Sequence, residues 1–270
     1  MRVTAAGITF NVERMGSGTP LVLTHGLGDD LHFWDPVAAA LAAHHEVVRW
    51  DVRGFGATDK PDGPYSAELF AADLTALLDA LGLERVHLAG ISMGGVIAQR
   101  FALAHAERLR SLILISTSSE IAEKGAANWR RLADTIEQRG FGAGARDASR
   151  AFSAGFAARQ PAVVAAAGEQ TARNDPHAYA AAARAMSDYH WTAALAEVRV
   201  PALVLQGLAD QLTPPGGSVK LSRALPASRL LMFEDTGHCL PIEQPERFVT
   251  AVLGFTGAID AMQRLAGLPG

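Results

Sequence analysis

The sequence predicts an α/β protein with a mostly parallel, twisted sheet, flanking helices and an inserted helical domain. Short apolar runs alternate with stretches of helical periodicity, which is the pattern of a parallel sheet covered by helices. The alternation stops at residues 119–192, which are rich in Ala, Arg, Gln and Glu. A segment of that length is too long for a plain connection. We therefore expect a core of residues 1–118 and 193–270 and a helical domain of residues 119–192.

Most predicted strands are short apolar runs bounded by polar or turn-forming residues. Val3–Arg14 is predicted to form a β-hairpin with its turn at Ala6-Gly7. Leucines at helical spacing over residues 74–81 predict a helix that ends at Gly82. Glu246–Met262 is predicted to form a C-terminal helix. The other predicted strands, in chain order, are Pro20–His25, Glu46–Asp51, Arg85–Ile91, Ser111–Ser116, Ala202–Gln206 and Arg229–Phe233.

The composition is that of a globular protein, with 49% hydrophobic and 19% charged residues and a formal net charge of −4. The arginines are scattered, so no basic face predicts nucleic-acid binding. The longest apolar runs, such as Ser111–Ile115, are far shorter than a membrane span, and no apolar segment indicates a signal peptide. The single cysteine, Cys239, fits a reducing compartment. We expect a cytoplasmic protein that binds neither nucleic acid nor membranes. The sequence does not determine the oligomeric state, and a homodimer is one of the states it allows.

The strongest candidate for a catalytic residue is Ser92, in the segment Gly90–Gly95 (GISMGG). This segment matches G-x-S-x-G, follows an apolar strand and opens a helical pattern, which is the context of a nucleophile elbow. The sharp turn strains the backbone, so the positions two residues on either side of the serine must lack side chains. Gly90 and Gly94 meet that need. We predict Ser92 as a nucleophile; the alternative is an incidental serine in a glycine-rich turn.

A second glycine-rich loop, His25–Gly28 (HGLG), also follows a predicted strand. It should open at the same sheet edge as Ser92, so the backbone N–H groups of Leu27 and Met93 are predicted to form an oxyanion hole. The loop partly matches the dinucleotide-binding pattern G-x-G-x-x-G, but Leu31 replaces the third glycine and two aspartates would repel a pyrophosphate. We predict no cofactor and, because no metal-ligand spacing occurs, no metal.

A serine nucleophile needs a base, and the base needs an orienting acid. His238 is the predicted base, because it follows the last predicted strand in Asp235–His238 (DTGH). Asp210 follows the preceding strand, which completes a Ser, Asp, His order known for serine hydrolases built on α/β sheets. Asp235 is the alternative acid, but it lies only three residues from His238, and its side chain would approach the imidazole awkwardly.

Together these segments resemble the α/β-hydrolase superfamily over nearly the whole chain. The motifs that carry the resemblance are HGLG, Asp51–Asp59 (DVRGFGATD), GISMGG, GLADQLTPP and DTGH. Within the superfamily the chain most resembles 3-oxoadipate enol-lactonases, through Asp30–Pro36, Leu77–His87 and Ile91–Gly95. The resemblance implies an α/β-hydrolase fold in which residues 119–192 form a helical cap over the site.

The predicted function is hydrolysis of a small carboxylic ester or lactone through an acyl-enzyme. The resemblance suggests 3-oxoadipate enol-lactone as an example of the substrate, and hence the catabolism of aromatic compounds. The alternatives are a C–C bond hydrolase or lyase that uses the same three residues, and a non-catalytic ligand receptor on a hydrolase scaffold.

The predicted substrate pocket combines aromatic residues with a cation. The lactonases that the chain resembles have a tryptophan near the start of the cap, and Trp129 stands in a comparable place. Trp34 and Trp191 are further aromatic candidates. The implied enol-lactone carries a carboxylate, so an arginine of the cap is expected to reach the pocket. The candidate arginines are Arg130, Arg131, Arg173 and Arg184.

Overall fold

Eight strands form one sheet in the computed structural model, which describes residues 1–142 and 147–266. The strands are β1 (Arg2–Ala5), β2 (Ile8–Gly16), β3 (Pro20–Thr24), β4 (Glu46–Trp50), β5 (Val86–Ile91), β6 (Leu109–Ile115), β7 (Ala202–Gly207) and β8 (Ser228–Phe233). Their order across the sheet is β1-β2-β4-β3-β5-β6-β7-β8. The β1–β2 and β2–β4 pairs are antiparallel and the other pairs are parallel. The predicted mostly parallel sheet is confirmed.

Ten α-helices lie within the described residues. They are α1 (Asp35–Ala42), α2 (Ala67–Ala80), α3 (Met93–Ala104), α4 (Glu123–Arg139), α5 (Ala154–Arg159), α6 (Pro161–Ala172), α7 (Pro176–Ala185), α8 (Pro215–Ala224), α9 (Leu240–Glu243) and α10 (Pro245–Leu265). The predicted leucine-rich helix is α2: the Ser66 hydroxyl accepts the Leu69 N–H at its start, and Gly82 adopts φ +68° just after its end. None of the described helices has the length and apolar character that a membrane crossing requires.

Successive residues of the parallel strands point to opposite faces of the sheet, so each face has its own apolar core. Val22 and Leu88 belong to the core that α2, α3 and α8 cover. Leu23 and Ile91 belong to the core on the other face, which α1 and α10 cover. Both faces are buried, which explains why these strands read as continuous apolar runs. The flanking helices of the predicted fold are confirmed.

Helices α4 to α7 lie between β6 and β7, within the stretch where strand–helix alternation stops. Helices α4 and α7 pack against each other, and Ala133 and Ile136 of α4 are buried in the first core. Phe152, which precedes α5, is buried in the second core. The insertion also contacts the loops after β3 and β8, as described below. That residues 119–192 form a separate domain stays a prediction.

Candidate active site

Ser92 occupies the turn between β5 and α3 with φ 54° and ψ −117°, a conformation that costs a non-glycine residue about 1–3 kcal/mol. The turn is so tight that a Cβ at Gly90 would lie 2.2 Å from the carbonyl oxygen of Gly94. A Cβ at Gly94 would lie 2.3 Å from the carbonyl oxygen of Thr24, on β3. Only glycine fits either position, and the chain holds Ser92 at the carboxyl edge of the sheet.

His25 shapes the loop after β3 through both of its ring nitrogens. Its Nε2 accepts the backbone N–H of Val52 at 3.0 Å, so the proton is on Nδ1, which donates to the carbonyl of Gly26 at 2.7 Å. Burial lowers the pKa of His25, although Asp51 and the bond to Gly26 raise it. A buried imidazole with both nitrogens engaged by backbone groups orients the loop and has no lone pair left for proton transfer.

The loop after β3 and the start of α3 face a common cavity. Leu27, Ser92 and Met93 all line this cavity, whose volume is about 230 Å³. Met93 is the first residue of α3, and the first intrahelical bond runs from the Val96 N–H to the Ser92 carbonyl. The N–H groups of a helix's first turn have no acceptor within the helix, so the Met93 N–H is available beside Ser92. The helix dipole adds a positive field at the same place.

The structure brings Asp210 and His238 into direct contact. The Nδ1 of His238 lies 2.8 Å from Oδ2 of Asp210, while the other carboxylate oxygen accepts the N–H groups of Leu212 and Thr213 at 2.8 and 2.9 Å. Burial alone would raise the pKa of Asp210, but His238 and these backbone bonds outweigh it, and the pKa is lowered. An ionised Asp210 therefore fixes the imidazole with Nδ1 protonated. Asp235 is exposed, in a left-handed turn with φ 50°.

The loops that carry Ser92 and His238 are both attached to the end of β6. The Ser92 N–H donates to the carbonyl of Ile115 at 2.9 Å. The hydroxyl of the next residue, Ser116, donates to the carbonyl of His238 at 2.8 Å. The insertion holds the histidine loop from the other side, because the carbonyl of Ala151 accepts the His238 N–H at 2.9 Å.

Asp29 is a carboxyl group of this site that the sequence analysis did not assign a role. A Cβ built on Gly26 would contact both Oδ2 of Asp29, at 3.3 Å, and the Cβ of Ser92, at 3.5 Å. Burial, and to a smaller extent the neighbouring Asp30, raise the pKa of Asp29 to about 7, while His238 lowers it. The available signal was an aspartate directly after the glycine-rich loop His25–Gly28, but only the folded loop shows that its carboxyl group lies near Ser92.

Apolar side chains from the core and the insertion form most of the cavity. They include Val96 of α3, Ile121 and Trp129 from the insertion, and Leu212 from the loop that carries Asp210. Glu120 is the acidic residue of the lining. Hydrogen bonds from Lys220 and Thr192 lower the pKa of Glu120, so it is an ionised group at the cavity wall.

Comparison with known proteins assigns the chain to a family. The α/β hydrolase fold family model matches residues 19–245. The chain belongs to the α/β hydrolase fold family. This hydrolase is 29% identical to 3-oxoadipate enol-lactonase 2 of Acinetobacter baylyi over 253 residues, which cover 93% of this chain and 94% of the relative. The predicted resemblance to enol-lactonases is therefore confirmed.

Two further similarities extend the range of named reactions. The hydrolase is 30% identical to the 2-hydroxy-6-oxo-2,4-heptadienoate hydrolase of Pseudomonas putida over an alignment 285 positions long, which covers 96% of each chain. A solved structure of a thermophilic esterase from Thermogutta terrifontis has a TM-score of 0.90 at 30% identity, and the match covers 96% of this chain and 98% of the esterase. The three named proteins are all hydrolases, but their names refer to the cleavage of different bonds.

The three predicted tryptophans lie in three different environments. Trp129 lines the cavity of the hydrolase. Trp34 does not: it is fully buried between Phe33 and Phe248, in the core under α1 and α10. Trp191 does not line the cavity itself: it packs behind Tyr189, which does, and donates its indole N–H to Gln99 at 3.1 Å. Trp34, at the end of a 3-10 helix, and Trp191, in the loop between α7 and β7, both turn toward an apolar core and serve packing.

None of the predicted cap arginines is among the described residues that line the cavity. Arg130 and Arg131 are exposed on α4, where Arg130 pairs with Glu123. Arg184 of α7 pairs with Asp134 and Glu137 of α4, and Arg173 is exposed. The expectation that Arg130 or Arg131 reaches the pocket is wrong for this conformation, because α4 turns Trp129 inward and the next two residues outward.

One group of described residues has ligand-type atoms close enough to hold a metal ion: His45, His87 and Asp260, within 4.8 Å of one another. Both ring nitrogens of His87 already have partners, Ser111 Oγ at 2.7 Å and Asp260 Oδ1 at 3.1 Å. The guanidinium of Arg110 lies 3.8 Å from the same carboxylate and adds a positive charge. These side chains satisfy one another as a buried polar network, which suits packing better than a cation.

Proposed function

We propose that the hydrolase cleaves a small carboxylic ester or lactone through an acyl-enzyme formed on Ser92. The observation that carries the proposal is the 2.8 Å contact between Asp210 and His238 at the sheet edge where Ser92 lines an apolar cavity. Serine is a weak nucleophile at neutral pH and needs a base that is itself oriented. Asp210 performs that orientation, because its bond to Nδ1 leaves the lone pair of Nε2 for the serine proton.

The proposed reaction has two halves. The Oγ of Ser92 forms a bond to the carbonyl carbon while its proton moves to His238, and the carbonyl oxygen takes negative charge. The N–H groups of Leu27 and Met93 stabilise this oxyanion. The oxyanion collapses, the C–O bond to the alcohol breaks, and His238 returns the proton to the leaving oxygen. Water then attacks the acyl-enzyme by the same steps, which releases the acid and restores Ser92.

The proposed substrates are uncharged in the part that enters the cavity. The walls are largely apolar and include the ionised Glu120. The substrate named for one relative, 3-oxoadipate enol-lactone, carries a carboxylate. Glu120 is already paired with Lys220, and neither lysine nor arginine is among the described residues that line the cavity. Burying that carboxylate there would therefore cost free energy. We therefore favour small neutral esters and lactones over this enol-lactone. The proposal also treats residues 119–192 as the cap that supplies Trp129 to the cavity wall.

The test is pre-steady-state hydrolysis of p-nitrophenyl butyrate. The proposal predicts a burst of p-nitrophenol equal to the enzyme concentration, and an intact mass raised by one butyryl group on Ser92. The S92A variant should lose both, while the S17A variant, at an exposed serine, should retain them. Turnover by S92A at the wild-type rate would contradict the proposal.

Cleavage of a C–C bond is the second candidate, favoured by the 30% identity to the 2-hydroxy-6-oxo-2,4-heptadienoate hydrolase. Incubation with that dienone separates the two reactions. Rapid loss of the dienone chromophore without a burst on the aryl ester would replace ester hydrolysis by C–C cleavage. A burst on the ester with a stable dienone would retain the ester proposal.

A further inference from the structure

Two carboxamide side chains of the insertion hold the loop after β3. Gln170, in α6, donates from Nε2 to Oδ2 of Asp30 at 2.8 Å. Asn174, four residues further on, donates from Nδ2 to the carbonyl of Gly28 at 2.7 Å. Asn174 lies in the turn directly after α6, which ends at Ala172, so the C-terminal end of α6 and this turn present both donors to one loop.

Two peptide groups of this loop are hydrogen-bonded to each other. The first, Gly26–Leu27, carries the Leu27 N–H, and its carbonyl accepts from His25 Nδ1 at 2.7 Å and from the Asp29 N–H at 3.3 Å. The second, Gly28–Asp29, carries that Asp29 N–H, and its carbonyl accepts from Asn174 at 2.7 Å. The bond from His25 comes from the core, whereas the bond from Asn174 comes from the insertion.

Steric contacts with the insertion support the same fixation. Gly28 has φ +88°, and a Cβ there would lie 3.1 Å from the Tyr179 ring of α7 and 3.4 Å from Thr171 of α6. Asp30 continues the restraint, because its Oδ1 accepts the His32 N–H at 2.8 Å while its Oδ2 accepts from Gln170. The loop from Gly28 to Asp30 is thus seated against α6 and α7 by hydrogen bonds and by contact.

We propose that Gln170 and Asn174 are positioning residues that orient the oxyanion donor of Leu27, and that this donor is in place only while the end of α6 is seated on the loop. The proposal rests on the oxyanion role given to Leu27 under the proposed function. The Leu27 N–H and the Gly26 carbonyl belong to one planar trans peptide group, so whatever holds the carbonyl also aims the N–H. Without Asn174, the Gly28–Asp29 peptide group is free to rotate, and its N–H can leave the Gly26 carbonyl. Only His25 then holds that carbonyl, and the Leu27 N–H can turn from the cavity.

The experiment compares the wild-type enzyme with N174A, N174D, Q170A and the double variant Q170A/N174A. N174D keeps the shape of the side chain and replaces the donor by an acceptor that faces the Gly28 carbonyl. Matched controls are N128A and Q138A, at exposed residues of α4. Three quantities are measured: kcat and KM for p-nitrophenyl butyrate, the rate at which a fluorophosphonate labels Ser92, and hydrogen exchange of the backbone over residues 25–30.

The expected result is a fall in kcat of about tenfold for N174A and N174D, with KM within about twofold, because misplacing an oxyanion donor costs less than the 10²–10³-fold that its removal costs. Fluorophosphonate labelling should slow by a similar factor, since the phosphonyl oxygen occupies the same hole. Backbone exchange over residues 25–30 should accelerate in both variants and most in Q170A/N174A. The controls should match the wild type in all three measurements.

Two outcomes would overturn the proposal. Wild-type kcat and labelling in N174D would show that the donor is not needed, and a loss of activity without faster exchange in the loop would assign the effect to another part of the site. The two proposals fail separately. If the fluorophosphonate does not label Ser92 in the wild-type enzyme, the proposed function fails, while the exchange of residues 25–30 still decides whether Gln170 and Asn174 hold the loop.

Discussion

Replacing Asp29 by Asn should stabilise the hydrolase more at alkaline pH than at acidic pH. The pKa of Asp29 rises from 3.8 to about 7 on folding, mainly through burial. The folded protein therefore keeps a proton that the unfolded chain has released between these two values. Since the unfolded state then binds fewer protons, the free energy of unfolding falls as pH rises through this range, and the loss is complete above pH 7. Asn cannot ionise and avoids the loss.

The magnitude follows from the size of the shift. From about pH 5 to the pKa near 7 there are about two units, worth at most roughly 3 kcal/mol at about 1.4 kcal/mol per unit. The Asp29 side chain is only partly buried by its exposed area, and solvent screening reduces the cost of its charge. We expect about half of the upper value, so D29N should gain about 1.5 kcal/mol more at about pH 8.5 than at about pH 5.

Urea denaturation of the wild-type enzyme and D29N at the two pH values measures this difference directly. The matched control is D188N, at an exposed aspartate beyond α7, whose effect on unfolding should be small and nearly independent of pH. An equal change in the free energy of unfolding at both pH values for D29N would refute the argument, because it would mean that folding does not raise the pKa of this carboxyl.

Three further predictions follow from the site and the elbow. D210N should lower kcat by about 1,000-fold or more with little change in KM, because the amide no longer holds His238 in the required tautomer; steady-state kinetics beside an unchanged melting curve would check it. In urea unfolding, G90A should destabilise the protein by about 3 kcal/mol, since the new Cβ would meet a carbonyl oxygen at 2.2 Å. The control G254A, on α10 with open space around it, should instead stabilise the protein by about 1 kcal/mol. R130A and R131A should leave kcat/KM unchanged for neutral and anionic esters, and a selective loss on anionic esters would reinstate a cation at the pocket.

The sheet and the elbow are predictable because their constraints are local. A strand buried on both faces must be apolar throughout, as in β5, and the turn after it excludes a Cβ at Gly90 and Gly94. The positions of Asp210 and His238 follow from strand order, since successive parallel strands open at one edge of the sheet. These inferences need no knowledge of distant packing.

The pocket residues are less predictable because tertiary packing decides which way a side chain turns. Trp129, Arg130 and Arg131 are consecutive, and only the packing of α4 selects the tryptophan for the cavity. Trp34 is of a residue type that often lines pockets, yet α10 covers it. From the sequence, Asp29 is an ordinary charged loop residue, and only the fold of the loop places it near Ser92. The contacts of Gln170 and Asn174 join segments about 140 residues apart, which no local pattern reports.

A crystal structure of the enzyme after reaction with a small phosphonate ester tests the central claim most directly. The account predicts a covalent bond between phosphorus and Oγ of Ser92, with the phosphonyl oxygen about 3 Å from the N–H groups of Leu27 and Met93 and Nε2 of His238 within hydrogen-bond distance of the adduct. A phosphonate attached to another residue, or a His238 imidazole too far from the adduct to exchange a proton with it, would contradict the account.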